Sequence, residues 1–107
     1  MRFEIILGPD AVAQLRSLPA HVRSKVRDAL ETHLRHEPTK LSKSRIKRLR
    51  GMARPQYRLR VDDTRVFYDV TKGRVEVLAI VSKAEAQSWL DDEGAPSTQG
   101  GPGRGEG

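Results

Sequence analysis

The sequence predicts an α+β domain, with an N-terminal strand and a helical hairpin packed on an antiparallel β-sheet. Two features of the pattern lead there. Helical spacing of apolar residues runs through the first forty positions and returns only in a short stretch after position 83, whereas alternating and continuous apolar runs occupy positions 57–81. Two-residue turn signals, Asp62-Asp63 and Lys72-Gly73, join those runs, long enough for hairpins and far too short for parallel crossovers. Helices first and hairpin-linked strands last is the order of an α+β layer, not of repeating β-α units.

Phe3 to Leu7 reads as a short buried strand stopped by Gly8-Pro9. Pro9 suits the first helical position, where a missing N–H costs nothing. Val12, Leu15 and Leu18 follow at helical spacing until Pro19 interrupts and starts a second helix. On that helix Val22, Val26, Ala29, Leu30 and His33 share one face, with Arg23, Arg27, Glu31 and Arg35 opposite. Pro38 ends it. Residues 39–54 show no period and offer only Ile46 and Leu49 as apolar anchors. Tyr57, Leu59 and Val61 then alternate with Gln56, Arg58 and Arg60, and Val66, Tyr68 and Val70 with Arg65, Phe67 and Asp69. Val75 to Val81 is nearly all apolar, as in a central strand. Ala84 to Leu90 forms a last short helix. The folded domain is therefore residues 1–92, and the Gly/Pro-rich stretch 93–107 is expected to be disordered.

The chain has no cysteine, which excludes disulfides, thiolate metal sites and a thiol nucleophile. No His/Asp/Glu spacing suggests a metal and no Gly-rich loop suggests a nucleotide cofactor, so none is expected. The N-terminal apolar run is too short for a signal peptide or a membrane span. The expectation is a cytoplasmic protein without a membrane partner.

Charge is the most informative property. Leu41 to Arg60 carries eight Lys or Arg and no acid, in a chain of net charge +6. A folded surface with that much like charge repels itself, and a polyanion relieves the repulsion. Lys43, Arg45, Lys47, Arg48, Arg50 and Arg54 are the candidate nucleic-acid contacts in the connection. If Asp62-Asp63 are the central residues of the hairpin turn, Arg60 lies opposite Arg65 and Arg58 opposite Phe67, on the face away from the core. Like charges opposed on a sheet are unfavourable. The planar guanidinium fork takes two phosphate oxygens, and an exposed Phe67 stacks on a base. The alternative is a solvated face, its arginines neutralised locally by Asp62, Asp63 and Asp69.

Groups for proton transfer are few. His21 and His36 read as surface residues and His33 as a core-edge residue of the second helix. Lys83 and Glu85 are weak candidates, and Trp89 reads as a plug at the edge of the core.

Lys47-Arg48-Leu49-Arg50-Gly51, Tyr57-Arg58-Leu59-Arg60-Val61, Thr64-Arg65-Val66-Phe67-Tyr68-Asp69-Val70 and Val75-Glu76-Val77-Leu78-Ala79-Ile80 together resemble the RelE/ParE superfamily, toxins of bacterial type II toxin–antitoxin modules. The resemblance covers roughly residues 2–90, with Asp62 in place of the pattern's Gly and Thr64 in place of its aromatic. It implies a RelE-like fold and a cognate antitoxin as partner. It also implies a metal-independent endoribonuclease that enters the ribosome and cuts mRNA by attack of a ribose 2′-hydroxyl on the adjacent phosphate. In that scheme Arg65 binds the scissile phosphate, Arg58 and Arg60 orient the RNA, and Lys83 replaces a further arginine. The surrounding basic residues and Phe67 contact RNA. The family's C-terminal Tyr or His has no counterpart in Ser82 to Leu90. Two other readings therefore stay open: the ParE branch, which poisons DNA gyrase without such a residue, and a degenerate member that only binds its antitoxin.

Overall fold

The computed structural model describes residues 1–97. The chain runs β1 (Glu4–Leu7), α1 (Pro9–Ser17), α2 (Ala20–Ala29) extended by a π-helical turn (Leu30–Leu34), β2 (Ile46–Arg48), β3 (Met52–Arg54), β4 (Tyr57–Val61), β5 (Thr64–Thr71), β6 (Arg74–Ser82), α3 (Lys83–Glu93) and β7 (Ala95–Pro96). None of the helices is long and apolar enough to cross a membrane.

The helical hairpin forms where the sequence places it. Pro9 and Asp10 occupy the first turn of α1 and Arg16 the last, which matches the helix dipole at both ends. The Leu18 N–H closes on the Leu15 carbonyl, and Pro19 opens α2. Ala11 and Leu15 from α1 and Val26 from α2 enter the main core, together with Leu30 and Leu34 of the π turn. That turn brings Leu34 inward while His33 stays half-buried beside Arg45. Burial, and then the Arg45 charge, hold the His33 imidazole below its ordinary pKa.

The main sheet has the strand order β1-β6-β5-β4-β2. The β4–β5 hairpin has the expected register, with Arg60 opposite Arg65 and Arg58 opposite Phe67. Asp62 takes φ 52°, the left-handed geometry that a two-residue hairpin turn requires. Three features depart from expectation. β1 pairs with β6 in parallel, Ile5 beside Val75 and Leu7 beside Val77, within a sheet that is otherwise antiparallel. β2 and β3 form inside the connection that lacks any period. β2 is held by main-chain pairing with β4 and buries Ile46 alone of its residues. β3 pairs with β7, and the Ser97 N–H donates to the Gly51 carbonyl. Residues 93–97, expected to begin a disordered stretch, thus hold the end of α3 and a strand. The rest of that stretch, 98–107, lies outside the described residues.

β6 explains the two-layered interior. Ala79 pairs with Phe67 but Val77 pairs with Tyr68, so Leu78 has no partner and the strand bulges there. Val75, Val77 and Ile80 join Leu59, Val66 and Tyr68 in the main core under the helical hairpin. Ala79 and Val81 join Phe67 on the other face, where Ala86, Trp89 and Leu90 of α3 cover them. Ser82 caps α3: its hydroxyl accepts the Glu85 N–H and donates to the Glu85 carboxylate.

Two buried polar groups fix the lower edge of the sheet. The Tyr68 hydroxyl donates to the Pro38 carbonyl at 2.6 Å, and burial pushes its phenol above the ordinary pKa. The Asp69 carboxylate accepts the Gln56 N–H at 2.7 Å, while the Gln56 side chain accepts the Val70 N–H at 3.0 Å. Arg54 lies 3.6 Å from the second Asp69 oxygen. Burial still raises the Asp69 carboxyl above its usual range. Replacing Asp69 by Ala leaves the partly buried Gln56 N–H without its acceptor and should cost about 1–3 kcal/mol in urea unfolding. An unchanged midpoint would contradict this account of the loop.

Candidate nucleic-acid interface

Strand alternation brings Lys47, Arg58, Arg60 and Arg65 onto the face of the sheet opposite the helical hairpin. Lys47 is directly across from Arg58, and Arg60 from Arg65. The Arg60 N–H donates to the Arg45 carbonyl, but the Arg45 side chain lies beside His33 at the end of the helical hairpin. Among the described residues no carboxylate makes an ion pair with Arg58, Arg60 or Arg65. Of the three acids that could neutralise them, two are engaged elsewhere, and Asp63 makes no ion pair among the described residues. Asp62 pairs with Lys25 at 3.0 Å, and Asp69 holds Gln56 and Arg54.

The three arginines are not equivalent. Arg65, expected on an open face, is 7% exposed. Its Nη1 donates to the carbonyls of Asp62 at 2.8 Å and Thr64 at 3.2 Å, so it is tied to its own turn. Arg60 is exposed. Arg58 is half-buried; its Nη2 donates to the Ser44 carbonyl at 3.3 Å, and its Nε is buried with no hydrogen-bond partner. Burial, and then the charges of Arg65 and Arg60, hold the Arg58 guanidinium below its ordinary pKa. A buried donor without an acceptor, amid unpaired like charge, is a position that an anion stabilises twice over.

Other candidates fall away from this group. Phe67, expected to stack on a base, is 1% exposed and stacks on Trp89 instead, ring centroids 5.2 Å apart and planes within 9°. The cause is α3, which packs on the apolar half of the face and leaves the basic half open. Arg48 lies on the opposite face, its guanidinium 5.4 Å from the Tyr57 ring centroid and bonded to the Gln56 carbonyl. Arg54 is paired with Asp69. Lys43 and Arg50 are exposed outside the strands. Lys83 is exposed at the start of α3, where its main-chain N–H donates to the Asp63 carbonyl.

Both tyrosines lie on the hairpin-facing side, stacked at 5.5 Å, and all three histidines belong to the helical hairpin and its extension. The arginine face therefore lacks a Tyr or His for proton transfer. It is built to hold negative charge, a task for which always-protonated guanidiniums are suited. Among the described residues no cluster of His, Cys, Asp or Glu could hold a metal ion. The Ser44 carbonyl, which orients Arg58, had no signal in the sequence. Phe67 did have one, an aromatic on an otherwise charged face, matched by Ala86, Trp89 and Leu90 at helical spacing.

The family model of the ParE toxin of type II toxin–antitoxin systems matches residues 5–87. The chain belongs to this toxin family. No curated protein matches its sequence. Solved toxins share the fold. A doubly substituted RelE toxin of E. coli in the free state superposes with TM-score 0.64 at 24% identity, covering 85% of this chain and 93% of that one. The archaeal RelE–RelB complex from Pyrococcus horikoshii gives 0.59 at 27% identity over 78% and 97%. The toxin–antitoxin complex RelBE2 from Mycobacterium tuberculosis gives 0.63 at 19% identity over 77% and 99%.

In this toxin the second core makes Phe67 a structural residue. Phe67→Ala should destabilise the protein by about 3–5 kcal/mol, as large-to-small changes in a packed core do. Urea unfolding checks it; a loss under about 0.5 kcal/mol, the range of an exposed site, would mean that α3 does not cover the ring in solution.

Proposed function

We propose that this toxin inhibits translation by cutting ribosome-bound mRNA, with Arg58 as its principal phosphate contact. One observation carries the reading: the unpartnered Arg58 Nε, beside Arg60 and Arg65, on a face where none of the three has a carboxylate. The site then stabilises the charge that develops on the phosphate during attack by the neighbouring 2′-hydroxyl. Arg60 adds an exposed guanidinium and Lys47 a second cation next to Arg58. Arg65, to which the resemblance assigns the scissile phosphate, is bound to its own turn and acts chiefly through its charge. Lys83, at the start of α3, is the nearest family counterpart to a further arginine. The cognate partner is an antitoxin, in line with the complexes formed by the toxins of similar fold.

The absence of Tyr or His from the arginine face favours a second reading, a gyrase inhibitor of the ParE branch whose family model the chain matches. On that reading the arginines contact the target without transferring protons. A member that only binds its antitoxin is the third.

Induced expression without antitoxin, followed by primer-extension mapping of a translated message, separates them. Growth arrest with new cleavages inside translated codons is the expected result. Arg58→Ala should reduce cleavage by about 10²-fold, the scale for losing one charge-stabilising donor. Arrest with intact messages and DNA damage would replace the nuclease reading by the gyrase reading. Soluble, folded protein without arrest would leave antitoxin binding alone.

A further inference from the structure

One cavity among the described residues includes none of the proposed phosphate contacts, although Thr64, Ser82 and Ala84 in its lining adjoin Arg65 and Lys83. It is a groove of about 650 Å³ between α1 and α3, lined among others by the half-buried Leu18 and Trp89 and by Ser17, Ser82 and Ser88. That volume falls in the range of sites that bury a ligand. Its α3 rim carries Glu85, Asp92 and Glu93, and no Lys or Arg lines it.

Those carboxylates are unneutralised in a chain rich in cations. None of the three makes an ion pair among the described residues, and Glu85 meets only the Ser82 hydroxyl. Asp92 and Glu93 also stand in the last turn of α3, which has no basic residue. Negative side chains at the negative end of the helix dipole are unfavourable, and bases are the usual occupants. A placement that opposes local stability without visible compensation marks a surface used for something else.

We propose that this groove docks a segment of a partner protein, one that lays a large apolar side chain on Leu18 and Trp89 and sets Lys or Arg against Asp92 and Glu93. Charge complementarity selects the occupant. A cationic segment relieves both the mutual repulsion of the carboxylates and their clash with the dipole. An acidic segment is drawn instead to the basic half of the sheet face that α3 leaves open. A partner with one segment of each sign is thereby held in a single orientation. The docking is independent of whether the arginine face cuts RNA.

A random-peptide display library selected against the whole chain, with excess heparin occupying the basic face, tests this directly. The selected peptides should combine Lys or Arg with Leu, Ile, Phe or Trp. They should shift the amide resonances of Ser17, Leu18, Ser88 and Trp89, and bind more weakly as salt rises. The double change Asp92→Lys, Glu93→Lys should weaken them by about tenfold or more, the scale of a lost interfacial charge pair. Both positions are exposed, and lysine at a helix C-terminus favours the helix, so the urea midpoint of the double variant should be unchanged or raised. Equal binding to the reversed chain, shifts elsewhere, or no enrichment of basic peptides would overturn the proposal. Arg58→Ala, which removes the proposed phosphate contact, should leave peptide binding unchanged, so the two proposals fail separately.

Discussion

The bulge at Leu78 is the constraint on which the rest of the structure depends. A strand with unbroken alternation would turn Val75, Val77, Ala79 and Val81 to one face and leave Ile80 on the other. By skipping one residue, β6 gives Val75, Val77 and Ile80 to the core under the helical hairpin and Ala79 and Val81 to the core under α3. The sheet is therefore covered on both sides across β5 and β6. Beyond them, β4 and β2 keep one face uncovered, and there the basic side chains collect. The aromatic pair Phe67–Trp89 sits at the border between the two halves, and its stacking adds about 0.5–1.5 kcal/mol beyond area burial.

The basic half follows from strand alternation and turn geometry together. Pairing Arg58, Arg60 and Arg65 on one face costs stability, and the fold recovers only part of that cost. Arg65 finds main-chain carbonyls in the Asp62 turn, and Arg58 finds one in Ser44. The Arg58 Nε has no such acceptor. Meanwhile Asp62 and Asp69 serve α2 and the Gln56 loop, and Asp63 pairs with none of the three arginines. The toxin thus holds an electrostatically incomplete surface on one half of this sheet face and, on the α3 that covers the other half, an uncompensated acidic rim. Charge segregation of this kind orients whatever binds.

Much of this was legible in the sequence because it is set locally. The Asp62-Asp63 turn fixed the register of the hairpin, and with it which arginines share a face. Pro9, Pro19 and the apolar spacing marked both helices. What was not legible depends on distant partners. β2 buries a single residue, so only its hydrogen bonds to β4 define it. A four-residue apolar β1 carries no information about direction, and its parallel pairing is decided by where the hairpin helices return the chain. The burial of Arg65 and the loss of Phe67 to α3 arise from elements that meet only in the folded state. Alternation alone places both side chains in solvent.

The most direct test of the central claim, that Arg58 is an anion site, is the side-chain Nε–H spectrum of the nitrogen-labelled protein titrated with short single-stranded RNA. The Arg58 Nε–H resonance should shift earliest and saturate, with an affinity that falls as salt displaces the phosphate contacts. An Arg58 resonance that stays unmoved while Lys43 and Arg50 respond would contradict it, leaving the basic connection as a diffuse surface without a defined phosphate site.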